Sequence, residues 1–187
     1  QRAPHTFYPY KDYPISMERI RMFALFHEQL ILTDPSTMLF KSNIINLEES
    51  SIQGKSMYLP IINGWYFQSS EVSKVKKVSP YDVSYSIQEL VNVSNIFSEY
   101  DISTNDVQVK DEMVVITTNR ELTKGDSLEL SSALRKVYLV PFNSKKDTEY
   151  TSFPVGVGSF HYSDNDRRVI TLSTENTDSY YPGEPNI

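Results

Sequence analysis

The chain has 187 residues and a formal net charge of −6, from 18 basic and 24 acidic side chains. A hydrophobic fraction of 39% is enough to build a core, and a charged fraction of 22% argues against disorder in its bulk. The acidic balance disfavours nucleic acid as a partner, since phosphate binding calls for a basic surplus. The absence of cysteine excludes disulfide scaffolds, thiol catalysis, zinc ribbons and iron–sulfur clusters.

In chain order, residues 1–14 read as an extended arm. Pro4, Pro9 and Pro14 work against a helix, while Phe7, Tyr8, Tyr10 and Tyr13 give the arm apolar area to bury. Two destinations are open: its own domain or a neighbouring subunit. That Gln1 stands where a Met would start a chain points to an internal start or to processing. Ser16 to Leu32 predicts a helix, with Ser16 as N-cap and Glu18 in the first turn. Ile20, Phe23, Ala24, His27, Leu30 and Ile31 recur at helical spacing. The alternation of Ile20, Met22, Ala24 and Phe26 supports a strand as the rival reading. No run of about 18 apolar residues occurs, so no membrane span is expected.

Thr33 to Ser36 predicts a turn, Thr37–Phe40 and Ile44–Leu47 short strands, and Glu48–Lys55 a polar loop. Met57 to Ile62, then Asn63-Gly64, then Trp65-Tyr66-Phe67 predicts a hairpin, because Asn-Gly favours a type I′ turn between paired strands. Trp65 is either a core anchor or a stacking surface for a ligand. Consecutive residues of a strand alternate faces, which counts against Trp65 to Phe67 forming a flat platform. Lys74, Lys76 and Lys77 make a local basic patch. Ser79-Pro80 marks a helix start, with Val83, Ile87, Leu90 and Val91 as its buried stripe. Asn92-Val93-Ser94 is a sequon of the kind that arises often by chance.

Val107 to Phe142 reads as three or four successive strands. Val107 and Val109 alternate with polar residues, and Met113 to Ile116 is apolar and β-branched. Lys124-Gly125-Asp126 predicts a turn, Leu128 and Leu130 a following strand, and Val137 to Phe142 another. Asn143 to Glu149 is a charged loop. Tyr150–Tyr162 predicts a strand interrupted by Gly156 and Gly158, with Val169–Leu172 as its partner across an Asp164-Asn165-Asp166 turn. Residues 174–187 form a second extended tail carrying Tyr180 and Tyr181.

Signals for chemistry are sparse. His5, His27 and His161 lack ligand partners at metal-site spacing. Asp164 to Asp166 lacks the glycine and glutamate of a calcium loop. Gly156-Val157-Gly158-Ser159 matches neither a phosphate loop nor a nucleophile elbow. Glu48 and Glu49, and Asp111 and Glu112, sit in expected loops. No catalytic, cofactor-binding or metal-binding residue is nominated, and no enzyme is expected.

These features predict a mainly β fold: an antiparallel β-sandwich, a jelly roll being one form of it, with one or two short helices and extended N- and C-terminal arms. The expected organisation is an arm at 1–14, a single β-rich domain at 15–173 and a tail at 174–187. Aromatic, proline-bearing arms on a compact β domain suit a structural assembly subunit, most concretely a virion (capsid or tail) component. Its arms would interlock with other protein subunits of a homo- or hetero-oligomer, with Phe7, Tyr8, Tyr10, Tyr13, Tyr180 and Tyr181 at the interface and no cofactor. The alternatives are a carbohydrate- or protein-binding module and an enzyme with a cleft built from scattered residues.

Overall fold

The computed structural model describes residues 8–11, 26–67, 76–144, 160–162 and 170–172, together with positions 16, 20, 21, 23 and 157. Its centre is a four-stranded antiparallel sheet. Strands β3 (Ser51–Gln53) and β4 (Ser56–Pro60) form one hairpin, β7 (Val107–Lys110) and β8 (Met113–Thr117) another. The hairpins meet along β4 and β8, giving the order β3-β4-β8-β7. Met57 lies opposite Ile116 and Leu59 opposite Val114 in that seam, and all four side chains are buried. Three two-stranded sheets accompany it: β1 (Leu32–Thr33) with β2 (Phe40–Lys41), β5 (Tyr66–Phe67) with β6 (Lys76–Lys77), and β9 (Phe160–Tyr162) with β10 (Ile170–Leu172).

Helix α1 (Pro80–Val93) packs on β7 and β8. Its start follows from the sequence. Pro80 takes the first helical position, where its missing N–H costs nothing, and the Asp82 carboxylate accepts from the N–H and hydroxyl of Ser79, as a capping box requires. Val83, Ile87 and Leu90 are fully buried on one face. The small antiparallel sheets with few helices agree with the expected β-rich class. The jelly-roll form is not what the strand order shows: each outer strand is a local hairpin partner, and α1 lies where a second sheet of a sandwich would pack.

Three local expectations are corrected. Lys124 to Leu134 is helix α2, where a turn and a strand were expected. Thr123-Lys124-Gly125-Asp126 is a second capping box: Asp126 accepts from Thr123 N–H at 2.7 Å, and Thr123 Oγ1 accepts from Asp126 N–H at 3.3 Å. Leu130 and Leu134 are buried at helical spacing, while Leu128 is 63% exposed, so the apparent Leu128–Leu130 alternation does not define a face. Next, Asn63-Gly64 does not join β4 to β5. β5 pairs with β6, and the tight hairpin instead turns at Gly54-Lys55, inside the stretch expected to be a polar loop. Gly54 there has φ 59°, as the first central position of a type II′ turn needs.

Finally, Val137 to Phe142 is not a strand of a sheet; Tyr138 makes only an isolated bridge to Gln29. The run is nonetheless buried from Val137 through Pro141, so its backbone must find partners elsewhere. Side chains supply them. The Tyr10 hydroxyl accepts from Tyr138 N–H at 3.0 Å and donates to the Tyr138 carbonyl at 2.6 Å. Ser86 Oγ accepts from Val140 N–H at 2.9 Å, and Asp82 Oδ1 accepts from Phe142 N–H at 2.7 Å. Leu139 N–H reaches the Glu28 carbonyl, and Leu30 N–H the Val137 carbonyl.

The helical reading near residue 20 agrees with Ile20, Arg21, Phe23 and Phe26, which are helical. Ile20 N–H bonds to the Ser16 carbonyl and His27 N–H to that of Phe23. The helix stops before Leu32, since Leu32 and Thr33 belong to β1. Trp65 is half-buried against the core. β9 and β10 pair as expected, with His161 opposite Thr171.

Candidate functional site

Tyr8 and Tyr10 of the N-terminal arm are each 3% exposed and belong to the main core cluster. Tyr8 donates from its hydroxyl to Glu89 Oε2 at 2.9 Å and lies 3.2 Å from the Tyr85 hydroxyl. Burial, and then the bond its hydroxyl donates to Tyr85, push the Tyr8 phenol well above its ordinary range. The structure thus places two of the six expected interface residues inside this chain. Phe7, Tyr13, Tyr180 and Tyr181 lie outside the described residues, as do His5 and Asp164 to Asp166.

Buried acids repay inspection, because a charge withdrawn from water needs a partner or a purpose. Asp82 and Asp126 have structural purposes as N3 residues of the two capping boxes. Asp82 is fully buried and also takes the Lys76 ammonium at 2.5 Å. Asp126 takes Arg120 at 2.6 Å; that bond first, then those from Thr123, hold its carboxyl well below the usual range. The Arg120 guanidinium stacks 4.9 Å from the Tyr100 ring, whose hydroxyl donates to Glu129 at 2.6 Å. Glu89 receives Tyr8. Glu28, 3% exposed, accepts from Asn43 at 3.1 Å. Each of these acids is tied into the fold, and none lines either of the two openings described next. Among the described residues no group of His, Asp and Glu gathers as metal ligands.

Openings to solvent are lined differently. One cavity of about 370 Å³ is formed by Tyr81, Ser84, Tyr85 and Gln88 on α1, Val107 to Val109 on β7, and Phe142. Its size falls within the range of small-ligand sites. The helical residues recur at i, i+3, i+4 and i+7, the spacing of one helix face. Tyr81 is 61% and Phe142 48% exposed. Phe142 packs edge-on to Tyr85 at 5.6 Å and to Tyr81 at 6.4 Å, so three rings form a continuous aromatic wall. Ser84 and Gln88 both donate to the Val107 carbonyl, Gln88 at 2.8 Å. A second opening of about 330 Å³ lies between Ile52 and Met57 of the β3–β4 hairpin and Lys124 to Leu128 of α2. It has no comparable aromatic wall. The first is the candidate site. Sequence reasoning missed it because its residues come from three separated stretches. The one sequence signal was the Tyr81–Tyr85 pair on a well-marked helix.

Comparison with known proteins locates the fold. No protein-family model and no curated protein matches the chain, but solved structures do. The pheromone receptor PrgZ, whose structure describes its mode of peptide binding, superposes with a TM-score of 0.68 at 15% identity over 94% of this chain and 38% of its own. The oligopeptide-binding protein AppA of Bacillus subtilis, solved with a nonapeptide, gives 0.62 at 16% identity, over 94% of this chain and 36% of its own. A nickel ABC transporter protein from Bacillus halodurans gives 0.66 at 16% identity, over 94% and 34%. The chain therefore has the fold of a part of ABC-transporter solute-binding proteins, and spans well under half the length of each.

This overturns the expectation of a virion capsid or tail subunit and, with it, of a virion location. The fold the chain shares is that of solute-binding proteins, and the aromatic arm that suggested interlocking shells turns Tyr8 and Tyr10 into its own core. No helix among the described residues is long and apolar enough to cross a membrane.

Proposed function

We propose that this chain is one portion of a non-catalytic solute-binding protein that captures peptides outside the cytoplasmic membrane and delivers them to an ABC transporter. The observation that carries this reading is the superposition of 94% of the chain on PrgZ and on AppA. PrgZ is a peptide-binding receptor and AppA is an oligopeptide-binding protein solved with a nonapeptide. On this reading the remaining length of such a protein contributes further walls to the ligand site, and this chain contributes one. The open aromatic wall of Tyr81, Tyr85 and Phe142 supports it, because apolar and aromatic linings with a few polar groups suit peptide side chains and backbone together. Tyr8 and Tyr10 of the arm then serve the fold of the portion itself.

The test is titration of the 187-residue chain with a free-termini nonapeptide and, in parallel, with nickel–histidine and a panel of oligosaccharides, followed by amide chemical shifts. The expected result is saturable shifts with the peptide, which is recovered uncleaved. Shifts with only the metal complex or only a sugar, or none with any probe, would overturn the reading.

A further inference from the structure

We propose that Asn63 is a site of spontaneous deamidation in the folded protein. The Gly64 amide nitrogen closes on the Asn63 side chain, and the product carries aspartate or isoaspartate in the link between β4 and β5. This inference is independent of the peptide-binding reading.

Asn63-Gly64 is the only Asn-Gly pair in the chain, and no hairpin turn uses it, since β5 pairs with β6. Both residues are exposed. Gly64 has φ 107°, and a Cβ built on it would meet nothing within 4 Å, so a succinimide ring has room to form. Ring closure also needs a backbone N–H that is not already donating. Among the described residues, no hydrogen bond engages Gly64 N–H or the Asn63 side chain. Other asparagines differ on this point. The N–H that follows Asn43 donates to Ser42 Oγ, the one after Asn105 to the Ser103 carbonyl, and the one after Asn143 to the Pro141 carbonyl. In each of those cases the following residue also bears a side chain that crowds its nitrogen, and glycine bears none.

The chemistry balances with water and hydroxide alone. The Gly64 nitrogen gives its proton to hydroxide and forms a bond to Asn63 Cγ. The Cγ–Nδ2 bond breaks, and the amide leaves as ammonia. Water then opens the succinimide at either carbonyl. Opening at Cγ restores the ordinary main chain and leaves aspartate. Opening at the backbone carbonyl routes the main chain through Cγ and leaves isoaspartate. Both products add a negative charge, and the second adds a carbon to the main chain.

That carbon falls in a short link that is fixed at both ends. Ile62 N–H bonds to the Ile44 carbonyl at 2.8 Å, and the Trp65 carbonyl accepts from Val78 N–H at 2.9 Å. Trp65 packs half-buried against the core. The isoaspartate form therefore displaces Trp65 and loosens the Val78 bond, beside the pairing of Tyr66 with Lys77.

The experiment ages the full chain at neutral pH and one pH unit higher, then maps it by mass spectrometry with fragmentation that separates aspartate from isoaspartate. A second chain carries Ser144→Gly, which gives Asn143 a glycine neighbour whose N–H still bonds to Pro141; an unchanged melting curve verifies its fold. Asn63 is expected to convert at least about tenfold faster than Asn143 in wild type and about fivefold faster than Asn143 in the Ser144→Gly chain. Its rate should rise about tenfold over the pH unit, with the deprotonated nitrogen. The isoaspartate fraction, separated by anion exchange, should show faster hydrogen exchange at the Val78 amide and shifted emission from Trp65, the one tryptophan. An unmodified Asn63, or a rate indifferent to pH, would overturn the site. Equal rates at Asn63 and at Asn143 of the Ser144→Gly chain would overturn the free amide as its cause. Unchanged Val78 exchange in the isoaspartate fraction would overturn the strained link.

Discussion

Asp111 and Glu112 make the tip of the β7–β8 hairpin with φ of 48° and 64°. Both sit in the left-handed region that a type I′ turn demands at its two central positions. Aspartate tolerates that region through its short polar side chain; glutamate has no such excuse, and an L-residue there costs on the order of 1–2 kcal/mol. Glu112 is exposed, so nothing else depends on its side chain. Glu112→Gly is therefore expected to stabilise the fold by about 0.5–1 kcal/mol after the added chain entropy of glycine is set against the relieved strain. A urea midpoint shifted upward at constant slope verifies this. A downward shift would mean that the turn is held by something other than its backbone preference. The same turn shows what a sequence hides at this scale. Asn63-Gly64 has the favoured composition and is not a hairpin turn, while Asp111-Glu112 has a poorer composition and is one. The strands on either side decide: Met113 to Ile116 must lie against β4, and that fixes the register whatever the two turn residues prefer.

At the scale of elements, Asp82 joins three parts of the chain. It caps α1 through Ser79, takes Lys76 from β6 and holds Phe142 N–H at the end of the buried run. Replacing it by alanine leaves the N–H groups of Ser79 and Phe142 without their acceptor, while the half-exposed Lys76 ammonium turns to water. Loss of a helix cap costs about 1 kcal/mol and a buried donor left unsatisfied about 1–3 kcal/mol, so the expected outcome for Asp82→Ala is a destabilisation of about 2–3 kcal/mol. Lys76→Ala should cost less, because Ser79 and Phe142 still donate to the carboxylate. Equal losses in chemical denaturation would show that the ion pair dominates and the hub does not.

α1 was legible in the sequence because every local signal agrees: Ser-Pro at the start, aspartate at the third position, an apolar stripe at 83, 87 and 90. α2 carries the same signature, Thr-x-x-Asp, and was still misread. Gly125 suggested a turn, and Leu128 with Leu130 imitated a strand. The capping residues were the better guide there, since they describe the backbone donors of the first turn directly. Val137 to Val140 could not have been placed at all. Its apolar composition is that of a buried strand, but its hydrogen bonds go to the Tyr10 and Ser86 side chains and to the backbone of Glu28 and Leu30, distant groups that no local pattern connects to it.

At the scale of the molecule, the arm is a structural member of the fold as far as Tyr8 and Tyr10 describe it. Removing residues 1–14 takes two rings from the core, strips Glu89 of the Tyr8 hydroxyl and leaves Tyr138 N–H and C=O without the Tyr10 hydroxyl. A single large core truncation costs about 3–5 kcal/mol, a large fraction of the stability of an ordinary domain. The truncated chain is expected to lose its cooperative thermal transition; a folded, cooperative product would show that the arm is dispensable. Aromatic arms at a domain's ends look alike in a sequence whether they cross to a neighbour or turn inward. The β-rich class could be read from alternation and turn residues. The solute-binding fold could not, because it is defined by how small sheets and helices are connected, and no motif in this chain marks that connectivity.

The division of the central sheet into two hairpins also orders its assembly in time. Within each hairpin the strands are separated by two residues and close as a microsecond event. The seam between β4 and β8 is different: Ser56 and Thr117, 61 positions apart, face each other there. Closing so long a loop carries an entropic cost that grows with the logarithm of its length, and α1, which lies inside that loop, shortens the effective chain once its capped first turn forms. The slow step of folding then falls on the β4–β8 seam, and substitutions at Met57 or Ile116 weigh on the folding rate where those in the outer strands weigh on unfolding.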